Sequence, residues 1–148
     1  MQDKVRLSIE KQRERIIGIG QEIFEHPETG FKEFHTSALV EKCFGAMNLH
    51  YQGFTDIPGG KVTLDTGKEG PGIAILGELD SVICREHPSS NRETGAVHAC
   101  GHNIQVAAML GAAMGIAQSG VLKDLCGKIH FIAVPAEEYI EVEFRREL

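Results

Sequence analysis

The sequence predicts an α/β fold of three layers, in which helices cover both faces of a largely parallel, or mixed, sheet. Helical and strand patterns follow one another in the order α-α-β-β-α-β, which is typical of this class. Residues 72–80 are almost continuously apolar, as in a parallel strand that is buried on both faces. With 148 residues, 42% of them hydrophobic, the chain is long enough to build one packed core.

The predicted helices are marked by apolar residues that recur at helical spacing. The first helix spans residues 3–25, and His26-Pro27 ends it because a residue before proline avoids the helical conformation. A second helix opens within HPETGFKEFHTSALVEKCFGAMN, which starts at His26. The third runs from residue 103 to residue 118 and is rich in Ala, Met and Leu. These helices are long enough to cover both faces of a sheet.

Three segments have the composition of strands. The segment KVTLDTGKEGPG, residues 61–72, is a short strand that glycine turns bring to an end. Residues 72–80, GIAILGELD, form the apolar run described above. Residues 128–138, KIHFIAVPAEE, form another buried strand, and Pro135 marks its end. The polar residues 84–96 predict a loop.

Composition argues against several classes of partner. The net charge of −6 disfavours a nucleic-acid binder, which would have a basic face. No Lys/Arg cluster predicts a membrane surface, and no apolar run reaches the ~18 residues of a membrane span. The polar N-terminus lacks an apolar signal core, and four widely spaced cysteines predict no disulfide framework. We therefore expect a soluble cytoplasmic protein with neither nucleic-acid nor membrane partners.

The residues best suited to chemistry lie next to strand ends. The first apolar strand ends in Gly-Glu-Leu-Asp, with Glu78 and Asp80, and the second ends in Pro-Ala-Glu-Glu, with Glu137 and Glu138. The motif His-Ala-Cys-Gly-His, residues 98–102, leads into the third helix. Open α/β sheets place their sites at the carboxyl ends of strands. We expect these side chains to converge on one rim of the sheet.

The chemistry of these residues fits a divalent transition metal, because zinc binds imidazole nitrogen, thiolate sulfur and carboxylate oxygen. Cys100 and His102 flank a glycine, so the backbone can aim both at one centre, and the adjacent helix N-terminus favours the thiolate. Glu137 and Glu138 are costly together unless a positive charge neutralises them. One of them can ligate the metal while the other takes a proton from the attacking water.

Each feature also has an ordinary explanation when it stands alone. An adjacent pair of glutamates is usually a solvated turn, and Glu78 with Asp80 is explained equally well by bonds to backbone amides or a helix terminus. The His-x-Cys-x-His motif can be structural or a chance occurrence. A cysteine nucleophile, Cys100 with a nearby histidine, is a further alternative, although it leaves the two glutamates unexplained. Their joint occurrence at strand ends favours the metal.

Four motifs resemble those of the aminoacylase-like metallopeptidases, family twenty, in their amidohydrolase branch. They are HPETGFKEF, GELDSV, HACGHN and VPAEE, in the family's order, and they cover residues 26–138. The branch includes hippurate, indole-acetyl-amino-acid and aminobenzoyl-glutamate hydrolases. The resemblance implies a zinc-exopeptidase-like fold and a small N-acyl amino acid or peptide as substrate, whose amide bond is hydrolysed by metal-activated water. It also implies a divalent metal, zinc or manganese, with two ions in full-length members and fewer or none in this chain.

The resemblance implies a role for individual residues. Cys100, His102 and Glu138 match metal-ligand positions of the motifs. Glu137 matches the general base, and Asp80 matches the acid that supports the metal region. The same motifs thus imply both the binding and the catalytic residues.

Three further residues of the motifs are additional site candidates: Glu78, His98 and Asn103. Glu78 stands where many relatives outside this branch carry a ligating histidine. Asn103 stands where many members have aspartate, and an uncharged partner changes the tuning of a metal site.

Family members are considerably longer than this chain and carry later histidine ligands and an inserted lid that commonly dimerises. The resemblance therefore implies that residues 1–148 are the N-terminal part of a metallo-amidohydrolase catalytic domain, truncated before its C-terminal part and without the lid/dimerisation domain. We expect such a chain to be inactive by itself and to form a homo-oligomer. The alternative function is a non-catalytic folded module that self-associates.

Overall fold

Three helices occupy the first 45 residues of the computed structural model, which describes residues 1–148. They are α1 (Gln2–Lys11), α2 (Arg13–Glu25) and α3 (Phe34–Gly45). The single helix expected over residues 3–25 is therefore two helices. At Gln12 the backbone tightens into one 3₁₀-type turn, in which its N–H donates to the Ile9 carbonyl at 2.9 Å.

The sheet has four strands and is of the mixed type. Its strands, in spatial order, are β1 (Gln52–Gly53), β2 (Gly60–Asp65), β6 (Lys128–Val134) and β3 (Gly72–Glu78). Only β3 and β6 are parallel, whereas β1 with β2 and β2 with β6 are antiparallel. Two short strands at the ends of the loop expected over residues 84–96, β4 (Val82–Ile83) and β5 (Ala96–Val97), form a separate antiparallel pair. The α/β class is confirmed, and the parallel pairing is confined to one strand pair.

The long helix α4 (His102–Ser119) is the crossover between β3 and β6 and lies against both the sheet and the N-terminal helices. A 3₁₀ turn (Val121–Asp124) and the short α5 (Val142–Arg145) complete the elements. Close packing explains the small residues of α4. A Cβ atom at Gly115 would lie 2.6 Å from Ile9 Cγ1, so a larger residue there would push α1 away. No helix has the length and apolar character to cross a bilayer.

One core of 17 buried residues lies between the helices and a single face of the sheet. Strand β2 alternates, with Val62 and Leu64 buried and the residues between them exposed. On the same sheet face, Phe131 packs with Phe44 of α3, their ring centroids 6.1 Å apart. Alternation on this strand fixes its register, because a slip by one residue would expose the apolar side chains.

The opposite face of the sheet carries no helical layer within residues 1–148. Helices α2, α3 and α4 contribute to the one core, and α1 packs on α4, so two of the three expected layers are present. Strand β3 lies at the edge of the sheet, and Ile73 and Leu76 are 57% and 51% exposed. The expectation that residues 72–80 are buried on both faces was therefore wrong for this chain, although the strand itself forms.

Candidate metal centre

The predicted site residues meet at the carboxyl edge of the parallel strand pair. Glu78 ends β3, and Glu137 and Glu138 follow β6 by a few residues. The parallel register pairs Glu78 with Val134, so both strands end at the same edge of the sheet. His102 is the first residue of α4, which starts at this edge. The site side chains therefore meet because β3 and β6 are parallel and because the crossover helix α4 begins at the edge where both strands end.

His102 lies at the centre of this group of acids and is almost completely buried. Its Nε2 is 3.0 Å from Glu78 Oε2 and 3.8 Å from a carboxylate oxygen of each of Glu137 and Glu138. Its Nδ1 is 2.9 Å from the Asp80 carbonyl oxygen. A proton on Nδ1 satisfies that carbonyl and leaves the Nε2 lone pair facing the carboxylates, which is the tautomer that ligates a metal.

Three residues offer ligand atoms that all lie within 4.8 Å of one another: Glu78, His102 and Glu137. This set differs from the predicted one, in which Cys100 and Glu138 accompany His102. In the structure the Cys100 side chain lies next to the Glu138 side chain, beside the set. The rim therefore brings together five residues: Glu78, Cys100, His102, Glu137 and Glu138. Glu78, which the sequence analysis gave only as an additional candidate, lies nearest to the imidazole of His102.

Cys100 is exposed and forms no disulfide bond. Its interaction with the Glu138 side chain is the main cause that raises the pKa of the thiol to about 11, and desolvation and the nearby carboxylates add to it. The expectation that the helix N-terminus favours the thiolate was wrong, because the interaction with Glu138 raises the pKa of the thiol. A raised pKa also disfavours the alternative in which Cys100 is a nucleophile.

Asp80 lies in the loop after β3 and connects it to the loop after β6, which carries Glu137 and Glu138. Its side chain is 1% exposed, and Oδ2 accepts a hydrogen bond from the Glu138 backbone N–H at 3.0 Å. Its Oδ1 lies 3.3 Å from His102 Nδ1. Asp80 thus touches both the imidazole and the loop that carries the two glutamates.

Gln105 is a site residue that the sequence analysis did not identify. Its Nε2 donates to Glu78 Oε2 at 3.0 Å, and its Oε1 accepts the Glu78 backbone N–H at 2.6 Å. The available signal was helical spacing, since Gln105 follows His102 by three residues and therefore lies on the same face of α4. These two bonds fix the Glu78 carboxylate opposite the imidazole.

The two remaining candidates have different positions. Asn103 points away from the rim, and its Nδ2 donates to the Gly20 carbonyl at 3.1 Å in the buried contact between α2 and α4. One residue along a helix turns the side chain by roughly 100°, so Asn103 cannot share the direction of His102. His98 is 5% exposed, and neither ring nitrogen has a hydrogen-bond partner. Burial is the main cause that lowers the pKa of His98 to about 4, and the neighbouring His102 adds to it.

The site carries more negative charge than the protein itself compensates. Four carboxylates lie within reach of one imidazole, and no Lys or Arg forms an ion pair with any of them. Like charges at this separation destabilise one another unless a cation lies between them. Imidazole, carboxylate and thiol donors together are the ligands that zinc takes, so the residues present fit a divalent ion.

Histidine and carboxylates on the carboxyl edge of an α/β sheet are an arrangement that can hold a divalent ion, and the comparisons point to the same kind of protein. The model of one family, Peptidase family M20/M25/M40, matches residues 74–142, which contain all the site residues named above. The chain is a relative of these peptidases, and the family resemblance predicted from its sequence is confirmed.

Individual proteins give the same result. N-acetyl-L-cysteine deacetylase of Bacillus subtilis is 32% identical over 134 residues, which are 88% of this chain and 31% of the relative. IAA-amino acid hydrolase ILR1-like 5 of Arabidopsis thaliana is 29% identical over 83% of this chain and 28% of its own length. The chain spans about a third of the length of the curated relatives it matches.

A solved structure supports the fold. The crystal structure of the YXEP protein of Bacillus subtilis, described as a dinuclear metal-binding peptidase from the M20 family, superimposes with a TM-score of 0.76 at 27% identity. The match covers 87% of this chain and 36% of that chain.

Proposed function

We propose that this chain supplies the first part of the metal site of an amidohydrolase, which cleaves the amide bond of N-acyl amino acids or small peptides. The observation that carries the proposal is the uncompensated cluster of Glu78, His102 and Glu137 on the carboxyl edge of the sheet. Residues 1–148 are, in this proposal, the N-terminal part of the catalytic domain, and other segments provide the lid and further ligands. The relatives, a deacetylase of N-acetyl-L-cysteine and a hydrolase of IAA-amino acids, support this substrate class.

The two glutamates take different roles in the proposal. Glu138 is a ligand together with Cys100 and His102, because its side chain is 23% exposed and its backbone is fixed by Asp80. Glu137 is the general base, because its side chain is 46% exposed and can therefore reach a water molecule beside the ligands. Glu78 is an additional ligand on the strand side, held by Gln105.

A divalent ion, zinc or manganese, would lower the pKa of bound water and polarise the amide carbonyl. The protein's own part is orientation and proton transfer. Asp80 holds the His102 ring through Nδ1, so that Nε2 remains a ligand atom. The Glu137 carboxylate accepts the proton of the attacking water. It then gives this proton to the amine, which leaves as a neutral group.

Metal binding tests this proposal. We expect the chain to bind zinc in calorimetric titration, and His102→Ala to weaken the affinity by on the order of 100-fold or more, because the central ligand is lost. The matched control is His50→Ala, since His50 is an exposed histidine outside the rim. A parent chain that binds neither zinc nor manganese, or equal affinities in the parent and His102→Ala, would contradict the proposal.

We propose further that the chain associates with a second copy through β3. This strand is an edge strand without a charged residue before Glu78, and such edges pair readily with other strands. We expect a dimer in light scattering at high concentration. Ala74→Lys, which places a charge on the exposed edge, should weaken the dimer by roughly 10-fold or more. Ser89→Lys, an equal charge change in an exposed loop, should leave it intact, and a monomeric parent would contradict the proposal.

A further inference from the structure

The segment between α2 and α3 contacts both loops of the rim, although it supplies none of the candidate ligands. The Glu28 carbonyl oxygen accepts hydrogen bonds from the Ser81 backbone N–H and hydroxyl, both at 2.8 Å. The Glu28 carboxylate accepts the backbone N–H groups of His35 and Thr36 at the start of α3, at 2.8 and 2.9 Å. The loop after β3 is thereby attached to a segment that α3 itself holds in place.

Glu33, immediately before α3, makes the corresponding contact to the loop after β6. Its Oε1 accepts the Ala136 backbone N–H at 2.7 Å, and the residue is 0% exposed. Its Oε2 has no hydrogen-bond partner. Burial is the main cause that raises the pKa of Glu33 to about 7. Hydrogen bonds from the backbone N–H groups of Glu33 and Ala136 lower this pKa, but by less than burial raises it. A carboxyl group in such a place is costly, so its contact needs an explanation.

Ala136 has a backbone conformation that a residue with a Cβ atom rarely adopts. Its φ is +52°, in the left-handed region, and it is 1% exposed. This turn directly precedes Glu137 and Glu138 and therefore sets the direction in which both leave β6. Glu138 is fixed at the next point by Asp80, so the loop is held at two places by two buried carboxyl groups.

We propose that Glu33 is a positioning residue of the site: it fixes the left-handed turn at Ala136 and thereby presents Glu137 and Glu138 to His102. Glu33 itself does not reach the ligand atoms and acts through the backbone. The consequence for metal affinity rests on the proposed function. The contact with Ala136 does not, because it joins two groups of the protein itself.

Three variants separate the position of the acceptor from its charge. Glu33→Gln keeps a carbonyl oxygen at the same reach, Glu33→Asp keeps the acid but is one methylene too short, and Glu33→Ala removes both. In the metal-free chain, we expect hydrogen exchange at Ala136 and Glu138 to accelerate roughly 10-fold or more in the Asp and Ala variants, because a buried hydrogen bond is lost. We expect Glu33→Gln to exchange like the parent.

Zinc titration is the second readout, and Leu64→Ala is the control for a general loss of stability, because Leu64 is buried in the core away from the rim. Affinity should fall roughly 10-fold in the Asp and Ala variants and remain unchanged in the Gln and Leu64 variants. The inference is overturned if Glu33→Asp and Glu33→Ala protect Ala136 as the parent does, or if Glu33→Gln loses protection equally. A parent that binds no zinc overturns the proposed function and leaves the exchange experiment decisive for Glu33.

Discussion

Purified residues 1–148 are expected to release no measurable amino acid from hippurate or aminobenzoyl-glutamate, even with added zinc or manganese. The rim holds one group of ligand atoms close enough to share an ion. A catalytic zinc typically needs three protein ligands and an open position, so the proposed ligands Cys100, His102 and Glu138 suffice for one ion and not for two.

The expected loss is large because, in the proposed function, the lid and the second ion both depend on segments other than residues 1–148. The Glu137 side chain is about half exposed, so water reaches this part of the rim. Orientation of substrate and catalyst supplies ~7–11 kcal/mol of barrier lowering where it is fully achieved, and exclusion of water strengthens each electrostatic interaction in the site. Loss of most of this, together with the second ion, slows the reaction by many powers of ten.

Glu137→Ala is the control that makes this result interpretable. A trace of release that is equal in the parent and in Glu137→Ala comes from a contaminating peptidase. Release in the parent that disappears in Glu137→Ala would show that residues 1–148 are a complete enzyme and that the prediction is wrong. The zinc titration of the same samples shows whether the site was loaded during the assay.

The position of the site was predictable from the sequence because its signals are local. Glu78 and the Glu137–Glu138 pair each follow an apolar run directly, and His102 opens a helix that a glycine precedes. Parallel pairing of the two runs is then sufficient to bring them together, since parallel strands end at the same edge. No knowledge of the remaining strands is required for this step.

What the sequence did not predict depends on non-local partners. The antiparallel pairing of β2 with β6 joins residues more than sixty positions apart, and nothing in either strand distinguishes it from a parallel pairing. Exposure of β3 depends on which element lies beside it, so an apolar composition alone suggested burial. The pKa of Cys100 depends on the Glu138 side chain, which approaches it only in the folded chain.

Glu33 illustrates the same limit. It lies in the motif HPETGFKEF, where a charged residue beside lysine suggests an exposed face, yet it is fully buried. Its partner Ala136 is 103 positions away. The role of such a residue becomes visible only through the hydrogen bond that it accepts.

Replacement of Glu33 by glutamine is expected to stabilise the chain in mildly alkaline solution and to do so progressively less towards acid. Burial raises the pKa of Glu33 from 4.5 to about 7 in the folded protein. The folded state therefore prefers the neutral carboxyl group. Its contribution to the free energy of unfolding is fully present below pH 4.5 and is lost as the pH rises to about 7. At pH 8 the ionised group costs up to about 3 kcal/mol, and glutamine, which has the same shape and no charge, avoids this cost.

Urea unfolding of the parent and Glu33→Gln at pH 5 and pH 8 measures the effect as a difference, which cancels the titration of all other groups. The amide nitrogen of glutamine replaces Oε2, which has no hydrogen-bond partner, and the desolvation of that amide group offsets part of the gain. We therefore expect Glu33→Gln to be more stable than the parent by roughly 1–3 kcal/mol at pH 8 and to have lost most of that advantage at pH 5. Glu25→Gln, at an exposed glutamate, should follow the parent at both pH values. A stability difference between Glu33→Gln and the parent that stays constant from pH 5 to pH 8 would contradict the prediction. It would mean that Glu33 does not titrate in this range and that burial does not raise its pKa as described.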